Sequence, residues 1–276
     1  MKVKILKPEE ITTIGVGAPR KVYFPENLRE LRSLLKENLP VIGGGSNSVL
    51  SDSKLPLIST TFLKEIRFED GKLTLGAGVK LSQVLKLQQK EKFSLFEFLA
   101  GIPRATVGGI VAQNAGAFGR EVKEFLESVT YMEKKTGELL IFKREEIEKL
   151  FSYRKTPFPE IGTVISATFR IKPAKNVKEK IEEFVKLRLS KQPPFYLKTA
   201  GSTFKNPPDY SAGKLLDEAG LKGFGIGDIS FSNIHANFTV NKGKASFSEF
   251  LELISLARNK VKKLFHVELE LEIKIF

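Results

Sequence analysis

Residues 101–119 read Gly101-Ile102-Pro103-Arg104-Ala105-Thr106-Val107-Gly108-Gly109-Ile110-Val111-Ala112-Gln113-Asn114-Ala115-Gly116-Ala117-Phe118-Gly119. Most side chains here are small, and the polar donors Thr106, Gln113 and Asn114 stand isolated. Such a stretch lets backbone lie flat against a large planar or phosphorylated ligand, because glycine removes the side chain and admits positive φ. A tightly packed loop between domains has the same composition. Upstream, Gly43-Gly44-Gly45-Ser46-Asn47 follows the short apolar run Val41-Ile42. Backbone N–H groups in such a turn converge on an anion, and Ser46 and Asn47 add donors. The segment lacks the lysine of a phosphate loop and the spacing of the G-x-G-x-x-G fingerprint. Alone, it reads as well as a strand-ending turn as it does as a phosphate site. Two such segments in one chain favour a dinucleotide held by loops from both.

Composition narrows the chemistry. The 276 residues contain no cysteine, which excludes disulfides, iron–sulfur clusters and cysteine nucleophiles. The histidines are His235 and His266 alone, too few for a multi-histidine metal site, so no metal is expected. Redox chemistry in this chain therefore needs an external cofactor. A net charge of +13 favours anionic partners. The lysines are interleaved with glutamate along helical patterns, which reads as a solvated surface and not as a nucleic-acid groove. No apolar run approaches the ~20 residues needed to span a bilayer, so no membrane association is expected. Met1-Lys2-Val3-Lys4-Ile5-Leu6-Lys7 turns acidic at Glu9 and Glu10 without the apolar core of a signal peptide, and a cytoplasmic location is the default expectation.

Around the glycine-rich segments the periodicity alternates between helix and strand. A helix is expected over Pro25–Asn38, with Leu28, Leu31, Leu34 and Leu35 on one face. Strands are expected at Val41–Ile42, Leu57–Ile66, Leu73–Ala77, Ser128–Met132, Leu139–Phe142 and Thr163–Ile171. Ser82 is positioned to cap a helix carrying Val84, Leu85 and Gln88, and a charged helix lies near Arg144–Leu150. Pro173–Asn176 marks a boundary, followed by a Lys- and Glu-rich helix with Val177, Ile181, Phe184 and Val185 on one face. Then come a loop over Lys191–Asn206, a helix capped by Ser211 and stopped at Gly220, a strand near Asn237–Val240 and a helix from Ser246 to Leu264. The run from Val267 to Ile275 alternates strictly, as a strand does. The class is α+β, with no regular βαβ order.

Five motifs in order carry a resemblance to a known family. Gly43–Leu50 and Gly101–Gly119 resemble the two FAD-binding signatures of the UDP-N-acetylenolpyruvoylglucosamine reductases, although Arg104 stands where that family usually has glycine. Tyr153-Arg154-Lys155-Thr156 is similar to the family's Tyr-Arg-x-Ser, and Ala200-Gly201-Ser202-Thr203-Phe204-Lys205-Asn206-Pro207 to its Ala-Gly-Ser-x-Phe-Lys-Asn-Pro. Leu269-Glu270-Leu271-Glu272-Ile273 resembles its terminal Leu-Glu-x-Glu-Val, with Leu271 in place of the common proline. Ala212–Gly223 and His235–Phe238 are similar to family segments as well. The short link from Arg154 to Ser202 resembles the second type of the family, which lacks a lid-loop insertion.

The resemblance implies an FAD-binding fold of the vanillyl-alcohol-oxidase-like type over residues 1–174, in two subdomains of about 1–65 and 66–174, and an α+β substrate domain over 175–276. It implies NADPH-dependent, FAD-containing reduction of UDP-N-acetylglucosamine enolpyruvate, with NADPH and the UDP-sugar bound in turn. It implies Arg154, Ser202 and Glu272 as the catalytic residues. The cofactor contacts are expected at Gly43, Gly44, Gly45, Ser46, Asn47, Pro103, Thr106, Gly108, Gly109, Asn114, Ala115 and Gly116. Substrate contacts are expected at Tyr153, Arg188, Lys191, Lys205 and Asn206. With no cysteine, and no histidine in the two segments, the flavin should be non-covalent.

The residue types suit that reaction. Hydride addition to an enolpyruvate double bond builds negative charge on the carboxylate as an enolate, and a fixed guanidinium such as Arg154 binds and stabilises it. A hydroxyl such as Ser202 can deliver a proton to the adjacent carbon if a charged neighbour stabilises the alkoxide. Periodicity alone places Glu272 on a solvated face with Glu268, Glu270 and Lys274, so its role rests on the resemblance. His235 reads as a loop residue and His266 as a strand-face residue. Two other readings remain: a different FAD oxidase or dehydrogenase on the same fold, which needs only the FAD segments, and a nucleic-acid-binding protein, suggested only by the charge.

Overall fold

The computed structural model describes all residues from Met1 to Phe276. The chain groups into two compact units. The first comprises Met1–Lys4, Lys21–Gly44 and Leu55–Lys186, and the second Ile5–Arg20, Gly45–Lys54 and Leu187–Phe276.

In the first unit, Leu57–Ser59 runs parallel to both Arg20–Phe24 and Val41–Ile42, within a four-stranded sheet completed by Lys2–Leu6. The helix Leu28–Lys36 begins at Asn27, whose side chain accepts from Glu30 N, so Pro25 lies outside the helix expected to include it. Leu31, Leu34 and Leu35 are spaced to share one helical face and are buried with Ile58, Met132 and Ile165. Each such side chain contributes about 1.5–3 kcal/mol on burial. A five-stranded antiparallel sheet follows, in the order Leu139–Lys143, Leu126–Glu133, Gly162–Arg170, Lys72–Gly76 and Ile66–Glu69. Its apolar face meets Phe96, Phe98, Val107 and Ile110 in the larger core.

The single strand expected over Leu57–Ile66 is two strands in different sheets. A turn separates them, closed by Leu63 N donating to the carbonyl of Thr60. The helix Leu81–Glu91 starts from Lys80, with Ser82 inside its first turn and not capping it. Gln83 Oε1 accepts from Lys80 N instead.

In the second unit, Lys198–Ser202, Phe238–Asn241, Ile229–Phe231 and Gly225–Ile226 form an antiparallel sheet. The helices Ala212–Glu218 and Phe247–Phe265 contribute Leu215, Leu216, Phe250, Leu253, Ile254 and Ala257 to its core. Ile14, Val16 and Val49 join that core from the early segments. Asn241 Nδ2 donates to Ile14 O at 3.0 Å, and Thr13 Oγ1 donates to Thr199 O at 2.6 Å, lashing the segment near residue 14 to the sheet.

Three further expectations differ from the structure. Lys198–Ser202 is a strand inside the expected loop. His266 is not a strand residue: it ends the helix Phe247–Phe265 in the left-handed conformation, φ 58°. The terminal alternating run is paired only at Lys274–Ile275, in parallel with Ser48–Val49, and at a bridge between Leu271 and Phe204. Backbone bonds reach the run from two segments in succession, residues 203–205 and then 47–49, so no single strand partners its whole length. No helix is long and apolar enough to cross a membrane.

Candidate active site

The glycine-rich segments form a cradle in the first unit. A Cβ on Gly44 would lie 1.6 Å from the carbonyl oxygen of Arg104, and one on Gly43 would lie 2.5 Å from Thr106 Oγ1. Backbone therefore approaches backbone where any side chain would collide. Arg104, standing where glycine was the expected type, is left-handed at φ 58°. Thr106 Oγ1 and Gln113 Nε2 are both buried without a hydrogen-bond partner. A buried polar group left unpaired costs about 1–3 kcal/mol, so these two atoms fit a ligand with polar edges such as FAD. Gly109 is exposed beside them, Pro103 is exposed, and Gly108 packs against Ala77. Gly45, Ser46 and Asn47 continue the first segment into the second unit.

Asn114 is fully buried and left-handed at φ 42°. Its Nδ2 donates to Glu121 Oε2 and to Ser152 O, each at 3.0 Å, and its Oδ1 accepts from Lys123 N at 3.0 Å. An amide nitrogen has two hydrogens, so this side chain holds protein and not ligand. What it holds is the approach to Arg154.

Arg154 Nη2 donates to Gly116 O at 2.7 Å and Nη1 to Asn114 O at 3.4 Å, with the guanidinium 5.0 Å from the centre of the exposed Tyr153 ring. A side chain at Gly116 would come within 3.1 Å of Arg154 Nη1. Thr156 Oγ1 donates to Ala112 O at 2.7 Å, which gives the hydroxyl at that position a structural use. The Tyr153–Thr156 turn is thus tied to the second glycine-rich segment through the carbonyls of Ala112, Asn114 and Gly116.

The other two expected catalytic residues meet in the second unit. The strand Lys198–Ser202 slips register against Phe238–Asn241 between Thr199 and Ser202, and Gly201 at φ 80° takes up the extra residue. A bulge of this kind re-aims the next side chain. Ser202 pairs with Phe238 just beyond it and is half-buried. Phe204 bridges Leu271, Lys205 N donates to Glu270 O at 2.9 Å, and Glu272 N donates to Thr203 O at 2.9 Å. The segments carrying Ser202 and Glu272 therefore run side by side. Glu272 is half-buried, whereas Glu268, Glu270 and Lys274 are exposed.

Asn237, which the sequence did not single out, holds Phe204 from both sides. Its Oδ1 accepts from Phe204 N at 2.9 Å and its Nδ2 donates to Phe204 O at 2.8 Å. Only its place inside the His235–Phe238 segment signalled it. Gln113 was visible as an isolated donor, but its buried and partnerless nitrogen is a three-dimensional fact.

The expected substrate contacts take several settings. Lys205 pairs with Glu270 at 2.9 Å, and Asn206 Oδ1 accepts from Ala212 N at the start of a helix. Lys191 is exposed on the last turn of the helix Val177–Lys191. Arg188, 7% exposed, donates to Gln192 Oε1 at 2.9 Å, and burial pulls its pKa down to about 10. His235 accepts from Asn237 N through Nδ1, and burial lowers its pKa. No cluster of His, Cys, Asp and Glu forms a metal site.

Residues 19–143 match the FAD binding domain, and residues 192–276 match the C-terminal domain of UDP-N-acetylenolpyruvoylglucosamine reductase. The reductase of Aquifex aeolicus is 39% identical, across 97% of this chain and 92% of its own length. That of Clostridium tetani is 35% identical, across 96% and 88%. The crystal structure of the Thermus caldophilus reductase is 32% identical and covers 100% of this chain and 99% of its own, with a TM-score of 0.82. Fold and site together define a flavin-dependent oxidoreductase built on the α+β FAD-binding fold of the vanillyl-alcohol-oxidase-like type. The chain belongs to the UDP-N-acetylenolpyruvoylglucosamine reductase family.

Proposed function

We propose that this chain catalyses the NADPH-dependent reduction of UDP-N-acetylglucosamine enolpyruvate to UDP-N-acetylmuramate, a step of peptidoglycan precursor synthesis in the cytoplasm. The observation that carries the reading is the side-by-side run of the Ser202 and Glu272 segments inside the matched C-terminal domain. Residues 1–174 are assigned to FAD binding, in subdomains of about 1–65 and 66–174, and residues 175–276 to the substrate.

The flavin would be held non-covalently by backbone of residues 43–47 and 108–109 with Thr106 and Gln113, and supplies the hydride taken from NADPH. Arg154 binds the enolpyruvyl carboxylate and stabilises the enolate charge, its guanidinium plane fixed by the carbonyls of Asn114 and Gly116. Ser202 delivers the proton to the neighbouring carbon, and Glu272 assists that transfer or the enolate. Tyr153, Arg188, Lys191, Lys205 and Asn206 are the candidate contacts of the UDP-sugar.

The test is NADPH oxidation with and without UDP-N-acetylglucosamine enolpyruvate. Sugar-dependent oxidation by a yellow protein is expected. Equal oxidation without the sugar, or oxygen consumption with simple alcohols in its place, would point to another flavin enzyme on this fold. A colourless preparation that takes up no FAD would exclude both.

A further inference from the structure

Asn47 closes the first glycine-rich segment, where a donor side chain suggests contact with a phosphate. Its Nδ2 has another partner: it donates to the carbonyl oxygen of Glu272 at 3.1 Å, 225 positions away. The backbone carbonyl of Asn47 accepts from Lys274 N at 3.0 Å, and Ser48–Val49 pairs in parallel with Lys274–Ile275. On its other side, Glu272 N donates to the carbonyl of Thr203, the residue after Ser202. Both peptide groups of Glu272 are therefore engaged, the N–H by the Ser202 segment and the C=O by Asn47.

This matters because Ile273 is buried and successive side chains in an extended run face opposite ways. A slip of one residue would exchange Glu272 with a core position. The run is held by the bridge at Leu271 and the parallel pair at Lys274–Ile275, and between them the Asn47 amide grips the peptide of Glu272 itself. We propose that Asn47 is a positioning residue: its side-chain amide fixes the peptide of Glu272, and with it the direction of that side chain beside Ser202, while its backbone belongs to the cofactor loop. The inference rests on the assignment of Glu272 to proton transfer or enolate stabilisation.

The experiment separates the two halves of turnover in the FAD-loaded enzyme, bleaching of the flavin by NADPH and recovery of colour on adding the UDP-enolpyruvyl sugar. Asn47→Ala is expected to slow recovery by roughly 10–100-fold, as misplacement of a catalytic group by about 1 Å does. FAD affinity and bleaching should be unchanged, and the pH profile of recovery should shift with that of Glu272→Gln. In a Glu272→Gln background, Asn47→Ala should add no further loss, since it acts through the group already removed. Asn47→Asp, which keeps the size but presents an acceptor to the Glu272 carbonyl, provides a second variant should Asn47→Ala fold poorly.

Weaker FAD binding, or bleaching slowed as much as recovery, would overturn the inference in favour of a cofactor contact or a general structural role. So would losses that multiply in the double variant. Recovery slowed in Glu272→Gln but normal in Asn47→Ala would overturn the inference alone. Normal recovery in Glu272→Gln would remove the role of Glu272, and the inference with it.

Discussion

Ser202 takes its direction from the residue before it, because Gly201 at φ 80° absorbs the extra residue of the bulge. Ser202→Ala is expected to leave NADPH bleaching intact and to slow recovery by about 10²–10⁴-fold, the range for losing a general acid. Equal slowing of both halves, measured by stopped-flow absorbance, would make Ser202 structural. Gly44 is fixed by space, not by dihedral angle: Gly44→Ala would drive a methyl group into the Arg104 carbonyl. Its expected outcome is loss of bound flavin, read from the visible spectrum. At this scale motifs name candidates such as Arg154 and Ser202. The sequence was silent where the meaning lies in a partner. Alternation put Glu272 on the exterior with Glu270, yet a bridge at Leu271 and a bond to Thr203 leave it half-buried. Asn114 read as a ligand donor, and its hydrogens are committed to Glu121 and Ser152.

Helices with a clear apolar stripe were legible as elements; the cap at Ser211 was legible too, whereas Ser82 falls inside its helix. Ser246 and Glu249 form a reciprocal capping box at the start of Phe247–Phe265. Ser246→Ala should cost about 1 kcal/mol, read as a lower urea midpoint with unchanged slope. Short strands were harder. Lys198–Ser202 contains Lys, Thr, Ala, Gly and Ser, without the β-branched alternation that announces a strand, and it forms because Phe238–Asn241 offers a partner. His235 follows a strand of this same sheet. Burial holds its folded pKa below the ordinary 6.5, opposed by a backbone hydrogen bond and Asp217 and reinforced by the charge of Lys222. The unfolded chain then binds more protons between the two values, so stability rises with pH across that window. Its contribution is complete above 6.5 and is lost as pH falls through the folded value. His235→Gln should therefore show a smaller fall in Tm than the parent between pH 7 and pH 5.

On the proposed function, the net charge of +13 favours the binding of two anionic nucleotides. Long-range attraction of this kind is screened beyond about 8 Å at physiological ionic strength. KM for NADPH and for the UDP-sugar should both rise with salt, with kcat little changed, as steady-state rates at two ionic strengths would reveal. FAD at a hundredfold excess over its Kd should add about 2.7 kcal/mol to the bound form, raising Tm by roughly 5 °C or more. Linear order cannot display one feature of the whole chain: the second unit draws on Ile5–Arg20 and Gly45–Lys54 as well as Leu187–Phe276. Synthesis on the ribosome is vectorial, so Val49 and Asn47 emerge long before Ile275 and Glu272 exist to meet them. A loop of that length adds little closure entropy for each further residue but delays the encounter. The early strand Ser48–Val49 must wait with its edge uncovered until the last stretch is made. Nascent chains stalled before residue 270 should thus be open to protease near Gly45–Lys54, and released chains protected there.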